Sequence, residues 1–409
     1  MRRLRLAIAI ALLGIGCADP APSVSSSVDA GPARGAPVTP PTAPPPAPPP
    51  PPARPSPRAA VTARAGDVVS IEAGTLHVGS RPGVPHRRPS VEADLSPIEL
   101  PAFDIDRLPY PNDPAAPAQL AATRAEAAQL CEARGRRLCD ELEWERACRG
   151  DGTDEWPTGA AIDLAACVAD PVSCPSSTGV LDLGVRAPEW TASDADARLA
   201  RLERTAVVRG GRPDSSPASH RCGARHVKNP AGGGRALAFR CCGGEAPGVA
   251  YPDVGVRRMW RDLEDVSDAR WREILGAVPE LAPYASDFSA YGETAALRAL
   301  ARGGASESDM QWELTRHPFA WSPSTGEEVW IVSGAGGGVS LLAALYPHPD
   351  GSFSHAASFL VREEEPPPFA VLRTRAARGE LLWSTCWGCA GESGVVRFDE
   401  DATIVIAQQ

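Results

Sequence analysis

Apolar and polar positions change period several times along the chain, and each change marks an element. Arg2, Arg3 and Arg5 precede an apolar run over residues 6–15, too short to span a bilayer as a helix. Residues 18–64 show no apolar period at all. Residues 67–80 then alternate, which predicts a strand, a turn and a strand. From Thr123 to Gly150 the period becomes helical, in two pieces. Thr123-x-x-Glu126 predicts a capping box at the start of the first helix, and Gly135 closes it. Asp140-x-x-Glu143 opens the second, with acids at the positive end of the helix dipole, and Gly150 stops it. Met259, Trp260, Leu263, Val266, Trp271, Ile274, Leu275 and Val278 recur at helical spacing, with Ser267-Asp268 as a break between two short helices. Residues 295–301 predict another helix, stopped at Gly303-Gly304. From His317 onward the pattern is β, with strands expected at 319–321, 329–333, 341–346, 357–361, 369–374, 381–384, 395–398 and 403–407. Turns are expected at 324–326 and 349–351, and the glycine-rich run 334–338 predicts a hairpin turn, since it lacks a nucleotide fingerprint's spacing.

Composition divides this pattern into regions. The 409 residues carry a net charge of −10 and no basic tract, which argues against a nucleic-acid partner. Residues 1–17 read as a signal peptide with a lipobox-like end. A small residue, Gly16, precedes Cys17, the arrangement that a bacterial lipoprotein peptidase cuts to leave Cys17 lipid-bearing. The usual Leu stands one place early, at Leu13, and an ordinary secretory signal is the alternative. Both readings export the chain to an oxidising compartment. Residues 18–64 are a Pro/Ala-rich tether, extended and coreless. Residues 65–245 form a first folded domain, 246–305 a helical segment, and 306–409 a β-rich domain.

The two-helix run resembles the signature of the formylglycine-generating enzyme (sulfatase-modifying factor) family. Gly135, Arg137, Leu138, Glu141, Glu143, Trp144, Glu145, Ala147, Arg149 and Gly150 stand in register with it. Four further stretches follow the family order. Gly74, Gly79 and Ser80 match its opening hairpin, and residues 98–107 match the segment after it, with Pro111-Asn112 in place of the usual Thr-Asn. Gly179, Asp182, Glu189, Trp190 and Thr191 match "G-L-Y-D-M-x-G-N-V-W-E-W-T". Arg209, Gly210 and Gly211, then Arg221, Cys222 and Arg225, then Phe239, Arg240 and Cys241 match "R-G-G-S", "R-C-A-A-R" and "G-F-R-C". The resemblance implies an α+β, C-type-lectin-like fold with little regular structure over 65–245. A short helical segment and a small antiparallel β domain follow it. It also implies disulfides Cys131–Cys241 and Cys148–Cys222. Cys139 takes the place of the family's Pro and Cys242 has no counterpart, so these two are expected to pair. Cys167 and Cys174 flank a short loop and are expected to pair locally. Connectivity is not decided by sequence alone.

The family's oxidation chemistry is not matched. Its loop after "R-G-G-S" carries two cysteines that bind Cu(I). Here residues 212–220 contain none, and Ser215 stands at the place of the first. His220 and His226 are the only His pair close enough in sequence to be weak metal candidates. Arg186 replaces a calcium-binding Asn, so that site is expected to be empty, and Glu189 is expected to pair with Arg186 or a backbone donor. Cys386-x-x-Cys389 has two readings, a hairpin-end disulfide, which its strand-like flanks favour, and a redox pair. The combined expectation is an exported envelope protein, lipid-anchored at a periplasmic or outer-membrane surface. Its domain would serve binding or assembly with an unspecified protein or glycan, without a cofactor. The alternative is an oxygen-dependent oxidoreductase with an altered copper or iron site drawn from Cys139, Cys242, His220 or His226.

Overall fold

The computed structural model describes residues 61–196, 199–232, 234–254, 260–309, 313–322, 327–373, 379–399 and 403–409. The expected signal segment, Cys17, the tether up to residue 60, Met259 and the turn at 324–326 lie outside the described residues. The fold is mixed α and β, with few helices and several mainly antiparallel sheets.

Two four-stranded sheets frame the first part. One runs Val68–Ile71, Phe103–Asp106, Cys241–Gly243, Arg137–Leu138. The other runs His226–Lys228, Ala206–Arg209, Glu189–Asp194, Ala238–Phe239. The strands expected over 67–80 form, but they do not pair with each other. Val68–Ile71 pairs with Phe103–Asp106, and Gly74–Gly79 pairs with Asp94–Leu100. Only Glu72 and Ala73 separate the two strands, so the chain steps from one sheet to the next.

Helix α1 (Arg124–Glu132) starts at Thr123, whose hydroxyl accepts from the Glu126 backbone N–H at 3.0 Å. The reciprocal bond differs from a full capping box: the Glu126 carboxylate takes the N–H of Ala122. Helix α2 (Glu141–Arg149) has the complete box, with Asp140 and Glu143 each satisfying the other's end of the turn. Gly150 ends it at φ +67°. All nine residues of α2 are buried, five of them charged. A short helix α3 (Leu164–Ala169) follows.

Five disulfides join Cys131–Cys241, Cys139–Cys242, Cys148–Cys222, Cys167–Cys174 and Cys386–Cys389. Neighbouring side chains on a strand point to opposite faces. Cys241 therefore enters the apolar cluster of Cys131, Trp190 and Phe239, while Cys242 enters that of Cys139, Trp144 and Cys148.

The later part of the chain is a pair of antiparallel sheets. Trp260–Asp262, Phe319–Trp321, Val329–Gly336, Val339–Pro347 and Phe353–Val361 lie in order in one sheet, with Ser289–Ala290 paired to Val329–Gly336. Glu313–Leu314, Ala370–Arg373, Glu380–Ser384, Ser393–Phe398 and Ile404–Gln408 make the other. Phe319, Ile331 and Leu342 of the first sheet meet Val371, Trp383 and Val396 of the second. The stretch 246–305 is not a purely helical segment. Trp260–Asp262, expected in a helix, is a strand of the first sheet, and Ser267 is the N-cap of α4 (Asp268–Ala277). Trp271, Ile274 and Leu275 of α4 pack on Val332, Leu341 and Leu345. Ala299 and Leu300 of α5 (Glu293–Arg302) pack on Ala370 and Leu372. The turn at 334–338 closes a hairpin with Gly337 and Gly338 at φ +58° and +73°, the positive values that a two-residue connection requires.

Candidate functional site

Helix α2 carries its charges inward, and each finds a counter-charge. Arg225 takes Glu141 with two N–H donors, both at 2.8 Å. Arg209 donates to Glu141 at 2.7 Å and to Glu145 at 3.0 Å. Glu145 also accepts from Arg149 at 2.9 Å and from the Gly79 backbone N–H at 2.7 Å. Arg137 holds Glu143 through two N–H donors, at 2.7 and 2.5 Å. Burial alone would raise the Glu141 carboxyl, but Arg209 and Arg225 overrule it and hold it below the ordinary value. Glu145 goes the other way: burial raises it, and Arg209 and Arg149 offset that only partly.

A second knot lies beside the first. Arg240 donates to Glu189 at 2.9 Å and to the Leu181 and Asp182 carbonyls, both at 2.7 Å. Glu189 also accepts from the Trp144 indole at 3.1 Å and from the Gly184 N–H at 3.0 Å. Its partners are thus Arg240, the Trp144 indole and the expected backbone donor, and not Arg186. Arg186 pairs with Asp182 at 2.6 Å, four residues earlier.

The second knot reaches the start of the 212–220 loop through Gly184, whose carbonyl accepts from the Gly211 N–H at 2.9 Å. Gly210 has φ +79°, and a Cβ there would lie 2.3 Å from the Gly184 Cα, so only glycine fits. His220 pins the loop on itself: Nδ1 lies 3.0 Å from the Gly184 carbonyl and Nε2 lies 3.1 Å from the Arg212 carbonyl. Burial lowers its pKa. The neutral ring that this favours carries one N–H and donates to one of the two carbonyls, while the other nitrogen faces its carbonyl without a proton.

Between this loop and the strands Ala206–Arg209 and His226–Lys228 lies a cleft of about 290 Å³. Pro188, Val208 and Leu237 wall it. Ser215, Ser219 and His226 face it, with Arg212, Lys228 and Arg235 around them. His226 is pushed down to about 4, first by burial and then by Arg88, and its Nε2 is buried without a partner. His226 and Lys228 stand two apart on one strand, a period-two signal in the sequence that puts both on one face. A second cleft, of about 400 Å³, lies across the loop and is lined by Pro85, Trp156 and Pro217 among others.

Residues 110–243 match the sequence model of the family described as the Sulfatase-modifying factor enzyme 1-like domain. The chain carries a sulfatase-modifying factor domain. No curated protein matches the chain. Two solved structures are similar to it. The structure of PvdO from Pseudomonas aeruginosa shares 19% identity at a TM-score of 0.33, covering 43% of this chain and 93% of that one. Treponema denticola variable protein 1 shares 15% at 0.32, covering 44% and 96%.

Within the sulfatase-modifying factor domain, Glu141, Glu143, Arg149, Glu189, Arg209, Arg225 and Arg240 are buried in the ionic knots, half-buried Arg137 pairs with Glu143 at their edge, and Trp144 and Trp190 lie in the core. Gly210 and Gly211 set the base of the cleft. Among the described residues, no cluster of three metal-donor side chains includes His220 or His226. Cys139, Glu143 and Cys242 do converge, but the two sulfurs are bonded to each other and Glu143 is held by Arg137. Cys386 and Cys389 bridge the turn between Glu380–Ser384 and Ser393–Phe398, with Cys386 buried and no helix starting there.

Proposed function

We propose that this is an exported, lipid-anchored envelope protein whose sulfatase-modifying factor domain binds a ligand at the 212–220 cleft instead of oxidising one. One observation carries the reading: all ten cysteines of the described residues are joined in pairs, and residues 212–220 contain none. Cu(I) is soft and takes thiolates, whereas the loop offers hydroxyls, carbonyls and imidazoles. That donor set does not fit the metal. A two-His, one-carboxylate iron site is equally unsupported, since both His220 nitrogens face backbone carbonyls and, among the described residues, no carboxylate joins His220 or His226 in a donor cluster. Calcium has no part in this reading, because Arg186 stands where the family's ligating Asn would be and its guanidinium places a positive charge on the Asp182 carboxylate. Export is supported by the charged and apolar N-terminus and by a disulfide-rich chain, and anchoring by Gly16-Cys17.

The test is a thiol count on the exported chain, denatured but unreduced, with metal analysis of the same sample. The expected result is no free thiol among these ten cysteines and no stoichiometric copper or iron. Two or more free thiols with bound copper would overturn the reading. Cys139, Cys242 and the 212–220 loop would then be the first residues to mutate.

A further inference from the structure

We propose that the cleft under the 212–220 loop binds a carboxylate-bearing ligand with an apolar body. This rests on the reading of that cleft as a binding site. Three observations converge. Cations line the cleft at Arg212, Lys228 and Arg235, and no acidic residue does. Asp214, which pairs with Arg212 at 2.9 Å, is largely exposed and outside the lining. Among the described residues, Lys228 has no acidic partner, and its ammonium donates to the Arg235 carbonyl. Burial lowers its pKa with no compensating charge nearby. An ammonium with spare donors and no counter-ion is a place for an anion. The His226 Nε2, buried and unbonded on the same strand face, is a further polar group awaiting a partner.

The walls decide what kind of anion. Pro188, Val208 and Leu237 present apolar surface that a small hydrated anion would leave wet. The volume, about 290 Å³, sits near the lower end of small-molecule sites, roughly 300–1,000 Å³. An aliphatic acid satisfies both features: its chain covers the walls and its carboxylate meets Lys228.

The experiment is calorimetric titration of the exported chain with octanoate, with octanamide as the neutral isostere, and with sulfate. Octanoate should bind, and octanamide should bind at least about tenfold more weakly. Lys228→Gln should weaken octanoate by about tenfold and leave octanamide unchanged, while Lys228→Arg should retain binding. Trp156→Ala, in the neighbouring cleft, should have no effect. Equal binding of acid and amide would overturn the proposal. So would equal binding of sulfate, no binding of octanoate, an unaffected Lys228→Gln chain of wild-type melting temperature, or loss of octanoate binding in Trp156→Ala. None of these outcomes bears on the thiol and metal counts, so the binding-domain reading can survive the loss of this ligand class.

Discussion

Glu141 serves two arginines at once, and its burial is tolerable only for that reason. Removing a charge from water costs several kcal/mol, and coulombic attraction returns it only where geometry and hydrogen bonds are complete. Arg209 and Arg225 meet that condition with bonds of 2.7 to 2.8 Å. Tyr251, downstream of the matched family residues, covers the group: its ring lies 3.5 Å from the Arg225 guanidinium, and its hydroxyl accepts from the Ala93 N–H. His226 is the opposite case, a base that burial and Arg88 keep neutral, with Glu92 opposing them. Its pKa of about 4 lies below the ordinary 6.5, so the unfolded chain takes up a proton at a pH where the folded chain refuses it. Stability is therefore full above about pH 6.5 and falls as the pH drops toward 4. The loss by pH 4.5 should be about 2–3 kcal/mol. Urea unfolding of the wild type should show this drop between pH 7 and 4.5, and His226→Gln should show a drop smaller by that amount. An identical pH dependence in both chains would mean that His226 is not the titrating group.

At the scale of elements, disulfides replace much of the regular structure that the first part lacks. Cys131–Cys241 spans 110 residues and Cys167–Cys174 spans 7. If bridges act by restricting the unfolded chain, the first should contribute about 5 kcal/mol and the second about 2. Paired Cys→Ala variants, compared by denaturant midpoints, should show this order. A costlier loss for Cys167–Cys174 would place the stabilisation in native packing instead. The β elements were legible in the chain because alternation is local: the strands at 329–333 and 341–346 and the turn between them appear within one or a few residues of their expected places. Trp260–Asp262 was not, because its apolar spacing suits a helix as well as a strand. Its pairing partner, Phe319–Trp321, lies far along the chain.

In the whole molecule, the later sheets are clasped to the sulfatase-modifying factor part by a buried ion pair. Both carboxylate oxygens of Glu327 accept from one Arg87 nitrogen at 2.8 Å, and the two side chains are 1% and 5% exposed. Gly83 packs at φ +83° on the Tyr346 ring. Arg87 also donates to the carbonyls of Glu92 and Ala93, and Glu92 in turn binds Arg221 at 2.9 and 3.1 Å. The clasp thus reaches the residue before Cys222. Glu327→Ala would leave Arg87 buried beside Asp94 with one carboxylate fewer, which should cost about 3–5 kcal/mol. Amide exchange over residues 81–93 should speed up accordingly. Unchanged exchange there would show that the sheets do not hold this segment.

By itself, the sequence determined what neighbours along the chain decide. It specified the Asp140–Glu143 cap, the Gly150 stop, the Gly337-Gly338 turn and the alternating strands, because each depends on backbone geometry within a few residues. Family resemblance added the Arg, Glu and Trp positions that fill the buried knots. Only the tertiary structure decided who meets whom: Glu189 with Arg240, Glu327 with Arg87, and His226 with no partner at its Nε2. Pairing of buried charges is set by packing between segments that can lie 50 to 240 residues apart, and periodicity along the chain carries no record of it.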